Sequence, residues 1–451
     1  MVSFWRVRAA WVAQRQTRRA LARLALPIVG ANLLLRGVGI VDAALVGRLG
    51  ADELAAVGLA NLLIMFVMAL VFGLGLGSTV LVAFHTGAAD LARRARAVRC
   101  TLLLGAAATL ALVPAGLGTS RPAARLIGAS GTVEDLAVKY LAVIWAGFAF
   151  RVYLQLGTAV FQGAGDTRTP LKVLVWVNLL HVGLAIPLVF GMGGLPRLGV
   201  VGAAAGTVAS EALGTVALWL AARRRGLLAP AGTWPDLVEL GRILRVGLPT
   251  VGERLITHGM QLVYARLVIA FGVAAYAAHQ VGLNIEALSF LPGLAFAQGA
   301  TALVGQRLGA GDPRGARQVG VQACLVAVGV MGGFGVTYWA FPSLWVSLFT
   351  ADPQVLGHGR TLMVVMAALQ PPLALALAVS GALRGAGDTR MVMFAAIVGG
   401  WVLRLPVAYL AGVLGGGGIL VVWLTMILDW GARAAITFWR FRRLPWEAVR
   451  L

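Results

Sequence analysis

The chain is 451 residues long, 59% hydrophobic and only 12% charged, and it carries a formal net charge of +21. Its mean hydropathy is +0.86, whereas about a quarter of the residues in a soluble domain are charged; a water-soluble fold is excluded. The positive charge would suit nucleic acid, but no stretch between the apolar segments is long enough to build a reading domain.

From the N-terminus, MVSFWRVRAAWVAQRQTRRALARLA is basic and amphipathic. It lacks the uninterrupted apolar core and small-residue cleavage site of a secretory signal, so it is expected to be retained. Residues 1–20 are expected to lie along the inner membrane surface, with Trp5 and Trp11 at headgroup depth and the arginines toward anionic lipid. Twelve apolar stretches follow, at 21–46, 54–85, 98–118, 137–162, 170–191, 199–222, 243–270, 274–304, 319–341, 361–383, 391–412 and 417–438. Each is about 20 residues or more, the length a helix needs to cross roughly 30 Å of hydrocarbon. The fold class is an all-α polytopic membrane protein with twelve transmembrane helices. Cys100 and Cys324 fall within apolar helix and match no metal spacing, which makes them inert core residues.

Both termini and the connections after even-numbered helices hold roughly 26 of the 38 Lys and Arg residues, against roughly 6 in the connections after odd-numbered helices. Arg93, Arg94, Arg96 and Arg99 belong to the first group, as do Arg223, Arg224 and Arg225. This asymmetry puts both ends on the cytoplasmic face of the cell (inner) membrane.

The hexapeptide GAGDTR occurs at 163–168 and again at 385–390, 222 positions on. The same shift lays LPIVGANLLLRGVGIVDAALVGRLG (26–50) on LPTVGERLITHGMQLVYARLVIAFG (248–272) without a gap. It also lays GSTVLVAFHTGAAD (77–90) on GATALVGQRLGAGD (299–312). The chain is an internal duplication with six helices in each half, 21–222 and 243–438. An even number of crossings makes the halves parallel repeats, and a central cavity is expected at their interface. RRRGLLAPAGTWPDLVELGR (223–242) reads as a cytoplasmic linker long enough for two bundles to rock, and 439–451 as a basic cytoplasmic tail.

Within the hexapeptide, Gly163 and Gly165, with Gly385 and Gly387 in the copy, are placed to end a helix through a left-handed residue. Asp166 and Asp388 would cap the following helix, while Arg168 and Arg390 hold the membrane interface. The role is structural or that of a hinge. GLGLGS (73–78) has the glycine density of a dinucleotide loop but lies inside an apolar helix with no strand before it, so it reads as close helix packing. No G-x-x-x-x-G-K-S/T stretch occurs, so no bound cofactor or ATP hydrolysis is expected, and an H⁺ or Na⁺ gradient is the energy source. A membrane-embedded prenyl transferase would need clustered Asp for Mg²⁺–diphosphate or a His/Glu metal set. The sequence has neither, and no catalytic residue or metal site is assigned.

VDAALVGRLGADELAAVGLANLL (41–63), AAHQVGLNIEALSFLPGLAFAQGATALVGQRLGAGDP (277–313) and GALRGAGDTR (381–390) resemble the multidrug and toxic compound extrusion (MATE) family, over nearly the whole chain. Within the family the chain looks closest to the prokaryotic branch that includes DNA-damage-inducible protein F. The resemblance implies a secondary antiporter of the lipid bilayer, taken as a monomer, that expels small organic cations and amphipathic drugs in exchange for H⁺ or Na⁺. The family's V-D-x-x-x-V-G pattern falls on Val41, Asp42, Val46 and Gly47, which makes Asp42 the candidate ion-coupling carboxylate and the one place where Na⁺ would bind. The residue itself agrees: a carboxylate on a membrane helix is costly unless it faces protein or water. Desolvation favours its protonated form and a bound cation its ionised form, and that opposition couples the two. The competing reading is an Asp42 merely solvated near the outer end of its helix.

In helix 5 the family places an Asn followed by a second Asn or Asp. WVNLLHVGLAIPLVFG (176–191) supplies Asn178 and His181, with Ala185 and Ile186 where the second polar residue is expected. His181 shares a face with Asn178 and either replaces the missing partner as a group that titrates near neutral pH or makes a polar contact between helices. Glu253 matches an acidic position of helix 7, with Arg254 and Arg245 nearby as ion-pair candidates. Leu373 stands where some members carry an Asp in helix 10, which favours H⁺ over Na⁺. Gln280 and Glu286 of helix 8, with Arg36, Asn61, Gln162, Asn284 and Gln298, are expected to line the substrate cavity. An alternative within the superfamily, a flippase or exporter of lipid-linked saccharides or other anionic amphiphiles, would need a strongly cationic cavity, for which Arg36, Arg151, Arg266 and Arg404 are the candidates.

Overall fold

In the computed structural model the described residues are 2–228 and 236–449, with side chains from Gln14 on. Every predicted span is helical. The first half comprises α1 (Val2–Gly47), α2 (Ala51–Gly87), α3 (Leu91–Leu126), α4 (Gly131–Ala146), α5 (Phe148–Gly163), α6 (Arg168–Phe190) and α7 (Val200–Arg224). The second comprises α8 (Leu237–Ile269), α9 (Val273–Gly309), α10 (Pro313–Ala340), the short α11 (Pro342–Ser347), α12 (Pro353–Gly385) and α13 (Thr389–Ala396). It continues through a π-helical stretch (Ile397–Arg404), α14 (Leu405–Val407), a second π-helical stretch (Ala408–Leu414) and α15 (Gly418–Arg443). Helix α1 runs without interruption from Val2, so the basic leading segment extends the first helix; Trp5 and Trp11 lie outside the residues whose side chains are described.

Among the described residues, ten helical spans are long and apolar enough to cross a membrane. Helices α4 and α5 make an eleventh span, bent by 56° at Gly147. At the bend the Val208 side chain of α7 fills the space a side chain at 147 would need. Helix α8 has the length, at 33 residues, but Glu253, Arg254, His258 and Gln261 interrupt its apolar run. The repeat identifies it as a span where hydropathy alone does not.

The chain forms two compact units, Gly30–Val251 and Met1–Val29 with Gly252–Leu451. Each contains the same internal joint. In the first, the Thr79 hydroxyl of α2 donates to the Ala159 carbonyl of α5 at 2.9 Å. In the second, Thr301 of α9 donates to the Gly381 carbonyl of α12, also at 2.9 Å, and both residues lie 222 positions beyond their counterparts. A Cβ added at Gly163 would stand 2.6 Å from the Thr79 carbonyl oxygen, and one at Gly385 would stand 2.5 Å from that of Thr301. Lipid is as apolar as a leucine side chain, so helix pairs in it are held by close backbone approach and interhelical hydrogen bonds rather than by hydrophobic burial. The GLGLGS stretch works likewise in α2, with the Gly247 carbonyl 2.8 Å from a Cβ at Gly73 and Ala159 Cβ 3.3 Å from one at Gly75.

The two GAGDTR copies divide their work differently from expectation. Gly165 and Gly387 are left-handed, with φ of 84° and 80°, just past the ends of α5 and α12. Gly163 and Gly385 instead serve the close approach just described, before the turn. Asp166 caps α6 by accepting from Thr169 N at 3.0 Å. Asp388 makes no such cap bond; its carboxylate accepts from Arg440 Nε at 2.5 Å. Asp166 pairs with Arg225 at 3.0 Å. In both units the motif therefore ties the turn to an arginine near the end of the unit's last long helix, while Arg168 and Arg390 are exposed.

Replacing Gly163 or Gly385 by Ala would force apart α2 and α5, or α9 and α12. Each substitution should cost about 1–3 kcal/mol and lower the unfolding temperature of the detergent-solubilised protein. An unchanged melting temperature for both would contradict the joint.

Candidate functional site

The polar core of the first unit is built on a close pair of helices. Helix α7 presents Gly202, Gly206, Ser210 and Gly214 at four-residue intervals, one face of a helix. A Cβ at Gly202 would stand 2.5 Å from the Leu188 carbonyl oxygen of α6, and one at Gly206 would stand 3.0 Å from Ala185 Cα. Ala185 is fully buried in this contact. A second polar side chain at 185 has no room unless α7 moves away, which explains why the position is small.

One turn earlier on α6, His181 is 2% exposed. Its Nε2 lies 2.6 Å from Oδ1 of Asp42, and the Thr207 hydroxyl of α7 lies 3.5 Å from its Nδ1. The imidazole is held between a carboxylate and a hydroxyl. Asp42 sits near the C-terminal end of α1, with 18% of its side chain exposed; it is engaged by protein rather than merely solvated. Contacts of this length between a ring N–H and a carboxylate are charge-assisted. Nearby, Arg151 of α5 donates to Glu211 of α7 through Nε at 2.9 Å and pairs with it through Nη2 at 2.8 Å. Asp42, Arg151 and Glu211 all act electrostatically on the buried Tyr140 of α4. The arrangement concentrates two carboxylates, one guanidinium and one imidazole, and it can hold or pass a proton at Asp42 or His181.

Of the four predicted coupling residues, the structure brings together Asp42 and His181. Asn178 is half-buried, and its side-chain nitrogen has no hydrogen-bond partner; it does not complete the pair. Glu253 belongs to the other unit and accepts from Arg384 Nη2 at 2.5 Å. Its ion pair is with the arginine of GALRG, 131 residues away, and neighbouring Arg254 also interacts with it electrostatically. The seven predicted cavity residues divide by exposure. Arg36, Asn61, Gln280 and Asn284 are exposed, Gln162 and Gln298 are half-buried, and Glu286 is buried. Gln280 donates to Tyr276 Oη at 2.6 Å and Asn284 to the Gln280 carbonyl at 2.9 Å, both within α9.

Sequence reasoning missed the polar cluster of the second unit. Arg433 Nε donates to Asp429 Oδ1 at 2.5 Å, and Arg404 Nη1 lies 3.5 Å from Oδ2. Asp429 is fully buried, and each arginine is 6% exposed. The Arg404 guanidinium stacks 3.8 Å from the centre of the Tyr264 ring, a cation–π contact. The signal was present, because Asp429 and Arg433 are an i, i+4 pair of opposite charge inside an apolar span. Of the four arginines that would make a cationic cavity, Arg151 is paired with Glu211, while Arg404 shares the Asp429 carboxylate with Arg433.

Residues 27–186 and 249–410 match the family model described as MatE, once in each half. The chain is 30% identical over 440 residues to the "Probable multidrug resistance protein NorM" of Thermotoga maritima, covering 96% of this chain and 94% of that one. It is also 30% identical over 440 residues to the "Multidrug resistance protein NorM" of Burkholderia vietnamiensis, covering 93% and 92%. Among solved structures it resembles the Vibrio cholerae MATE transporter VcmN in the bent form, with a TM-score of 0.88 at 19% identity, covering 96% of this chain and 98% of that one. That likeness is one of fold. The NorM name of the relatives leaves the branch placement as a reading of motifs alone.

Asp429, fully buried, and Asp42, partly exposed, should respond differently to loss of charge. Asp429→Asn leaves Arg404 and Arg433 buried without a counter-charge and should destabilise the protein by about 3–5 kcal/mol. Asp42→Asn keeps an oxygen to accept from His181 and should leave the melting temperature nearly unchanged. Thermal unfolding of both purified variants checks this; equal effects would contradict the assignment.

Proposed function

The chain belongs to the MatE family, the multidrug and toxic compound extrusion transporters, and on that premise we propose that it is a secondary antiporter exporting organic cations and amphipathic drugs in exchange for H⁺. The reading places it in the inner membrane with both termini in the cytoplasm. The observation that carries the coupling is the 2.6 Å contact of His181 Nε2 with Asp42 Oδ1.

With a neutral imidazole, the Nε2–H donates to the Asp42 carboxylate and orients it. An approaching cationic drug favours the ionised carboxylate and expels any proton it holds. Reprotonation removes the attraction and releases the drug. Rocking of the two six-helix bundles would present the site to one side and then the other. One proton moving down about 150 mV supplies roughly 3.5 kcal/mol, enough for a several-hundred-fold drug gradient. Two features support H⁺ over Na⁺. The near neighbour of Asp42 is a ring N–H donor, which offers a metal ion no lone pair, and the helix-10 position expected to be acidic is Leu373, fully buried and apolar.

The test is ethidium or norfloxacin transport in inverted membrane vesicles under separately imposed H⁺ and Na⁺ gradients. Transport should follow the H⁺ gradient, collapse with a proton uncoupler and survive a Na⁺ ionophore. Asp42→Asn should abolish it while the protein remains folded. His181→Asn, which does not titrate near neutral pH, should flatten the pH dependence. Undiminished transport by Asp42→Asn would overturn the mechanism.

A further inference from the structure

The buried charges of the first unit are not confined to the surroundings of Asp42. Where α2 ends, His85 is 2% exposed, and its Nε2 lies 3.3 Å from Oε2 of Glu239, which opens α8 and is equally buried. Arg242, one turn along α8, reaches the other oxygen of Glu239 at 3.2 Å. The charged groups that act on Glu239 are His85, Arg242 and Asp236. Asp236 itself is met by Arg96 of α3 at 3.8 Å, and Phe84 stands edge-on to the His85 ring with centres 5.8 Å apart.

The pair closes a seam between α2 and α8. A Cβ at Gly73 would stand 2.8 Å from the Gly247 carbonyl oxygen, and one at Gly77 would stand 2.3 Å from that of Ile243. As numbers rise along α2 they fall along α8, so the two run antiparallel and His85 meets Glu239 at the end of the seam. This unit holds α8 only as far as Val251; from Gly252 the same helix belongs to the other. Cys100 of α3, fully buried, donates its S–H to the Asp236 carbonyl at 3.5 Å, just before α8 begins.

The duplication provides the comparison. Leu21, Ala25 and Gly299 stand 222 positions from Ile243, Gly247 and Gly77. They meet in the second unit, where Leu21 Cδ1 and the Ala25 nitrogen are each 3.5 Å from a Cβ at Gly299. The positions that match His85 and Glu239 there are Arg307 and Thr17. Arg307 turns to Asp312 at 3.1 Å, and the start of α1 is tied by Arg18 to the side chain of Gln322, an amide that does not titrate. A seam of this kind therefore packs without a buried histidine–carboxylate pair. Burying an ion pair is a poor source of stability, so the pair at 85 and 239 has another role.

We propose that His85 and Glu239 form a pH-sensitive latch on residues 237–251 of α8. With the imidazole protonated the pair is ionic and holds the start of α8 on α2; with it neutral, one uncharged N–H donor remains and the hold weakens. Histidine changes charge within the physiological range, so the latch tightens as pH falls and loosens as pH rises. The proton is exchanged with water, and no other bond changes. What the latch does for transport rests on the antiport reading, but its opening does not.

Cys100 reports that opening, because lifting the start of α8 uncovers it. The full chain is placed in lipid nanodiscs with Cys324, the other cysteine, replaced by Ala. Alkylation of Cys100 by N-ethylmaleimide is then timed from about pH 6 to about pH 8. Each rate is divided by that of His85→Gln, which cancels the ionisation of the thiol itself. At the acid end the ratio should be about one fifth or lower, and it should climb towards unity as pH rises. Glu239→Gln should behave as His85→Gln does, and it becomes the reference should His85→Gln fail to fold. The same profile should persist in Asp42→Asn, which separates the latch from the coupling site. A ratio that does not change with pH overturns the proposal, and so does a profile that vanishes in Asp42→Asn. Efflux is read separately in vesicles, so the antiport reading can fail while the latch stands.

Discussion

An ionisable group in hydrocarbon must find a partner or be neutralised, and that requirement organises this molecule. A lone charge at the centre of a bilayer is costly enough to keep a helix from inserting or to force it toward water. Here Asp42 meets His181, Glu211 meets Arg151, Glu253 meets Arg384, and Asp429 meets two arginines. Each of these pairs joins different helices except Asp429–Arg433, which lies along α15. The pairs therefore act as fasteners in a medium that supplies no hydrophobic drive between helices.

The close-packing glycines are the complement of those pairs. Where α6 and α7 touch backbone to backbone at Gly206 and Ala185, nothing polar fits. One turn along α6, the interface makes room for the His181 ring and the Thr207 hydroxyl. Packing that tight fixes the rotamer of His181 and thereby the direction in which Asp42 is held. Local structure, packing and proton chemistry are linked through three successive turns of one helix pair.

Duplication adds a second layer. The Thr79 and Thr301 joints show that backbone geometry has been kept over 222 positions, while the polar positions differ: Asp42, Thr207 and Glu211 are matched by Tyr264, Asp429 and Arg433. Geometry survives because a glycine–carbonyl contact tolerates no side chain. Charge is free to diverge as long as each buried group keeps a counterpart.

Much of this was legible without coordinates. Hydropathy, the gapless repeat and the distribution of arginines determine an all-helical membrane chain in two homologous halves, because span length and patterning are local properties. Asp42 stood out because an acid in an apolar helix is expensive wherever it points, and His181 because it shares a face with Asn178. What only the tertiary structure decided is pairing. That Asn178 stands aside, that Glu253 reaches Arg384, that Asp388 binds Arg440 instead of capping, and that Arg404, Asp429 and Arg433 converge all join residues distant in sequence, apart from Asp429 and Arg433 themselves. A one-dimensional pattern states which groups need a partner; helix rotation and close approach, set by side-chain volumes along several helices at once, choose which one they find.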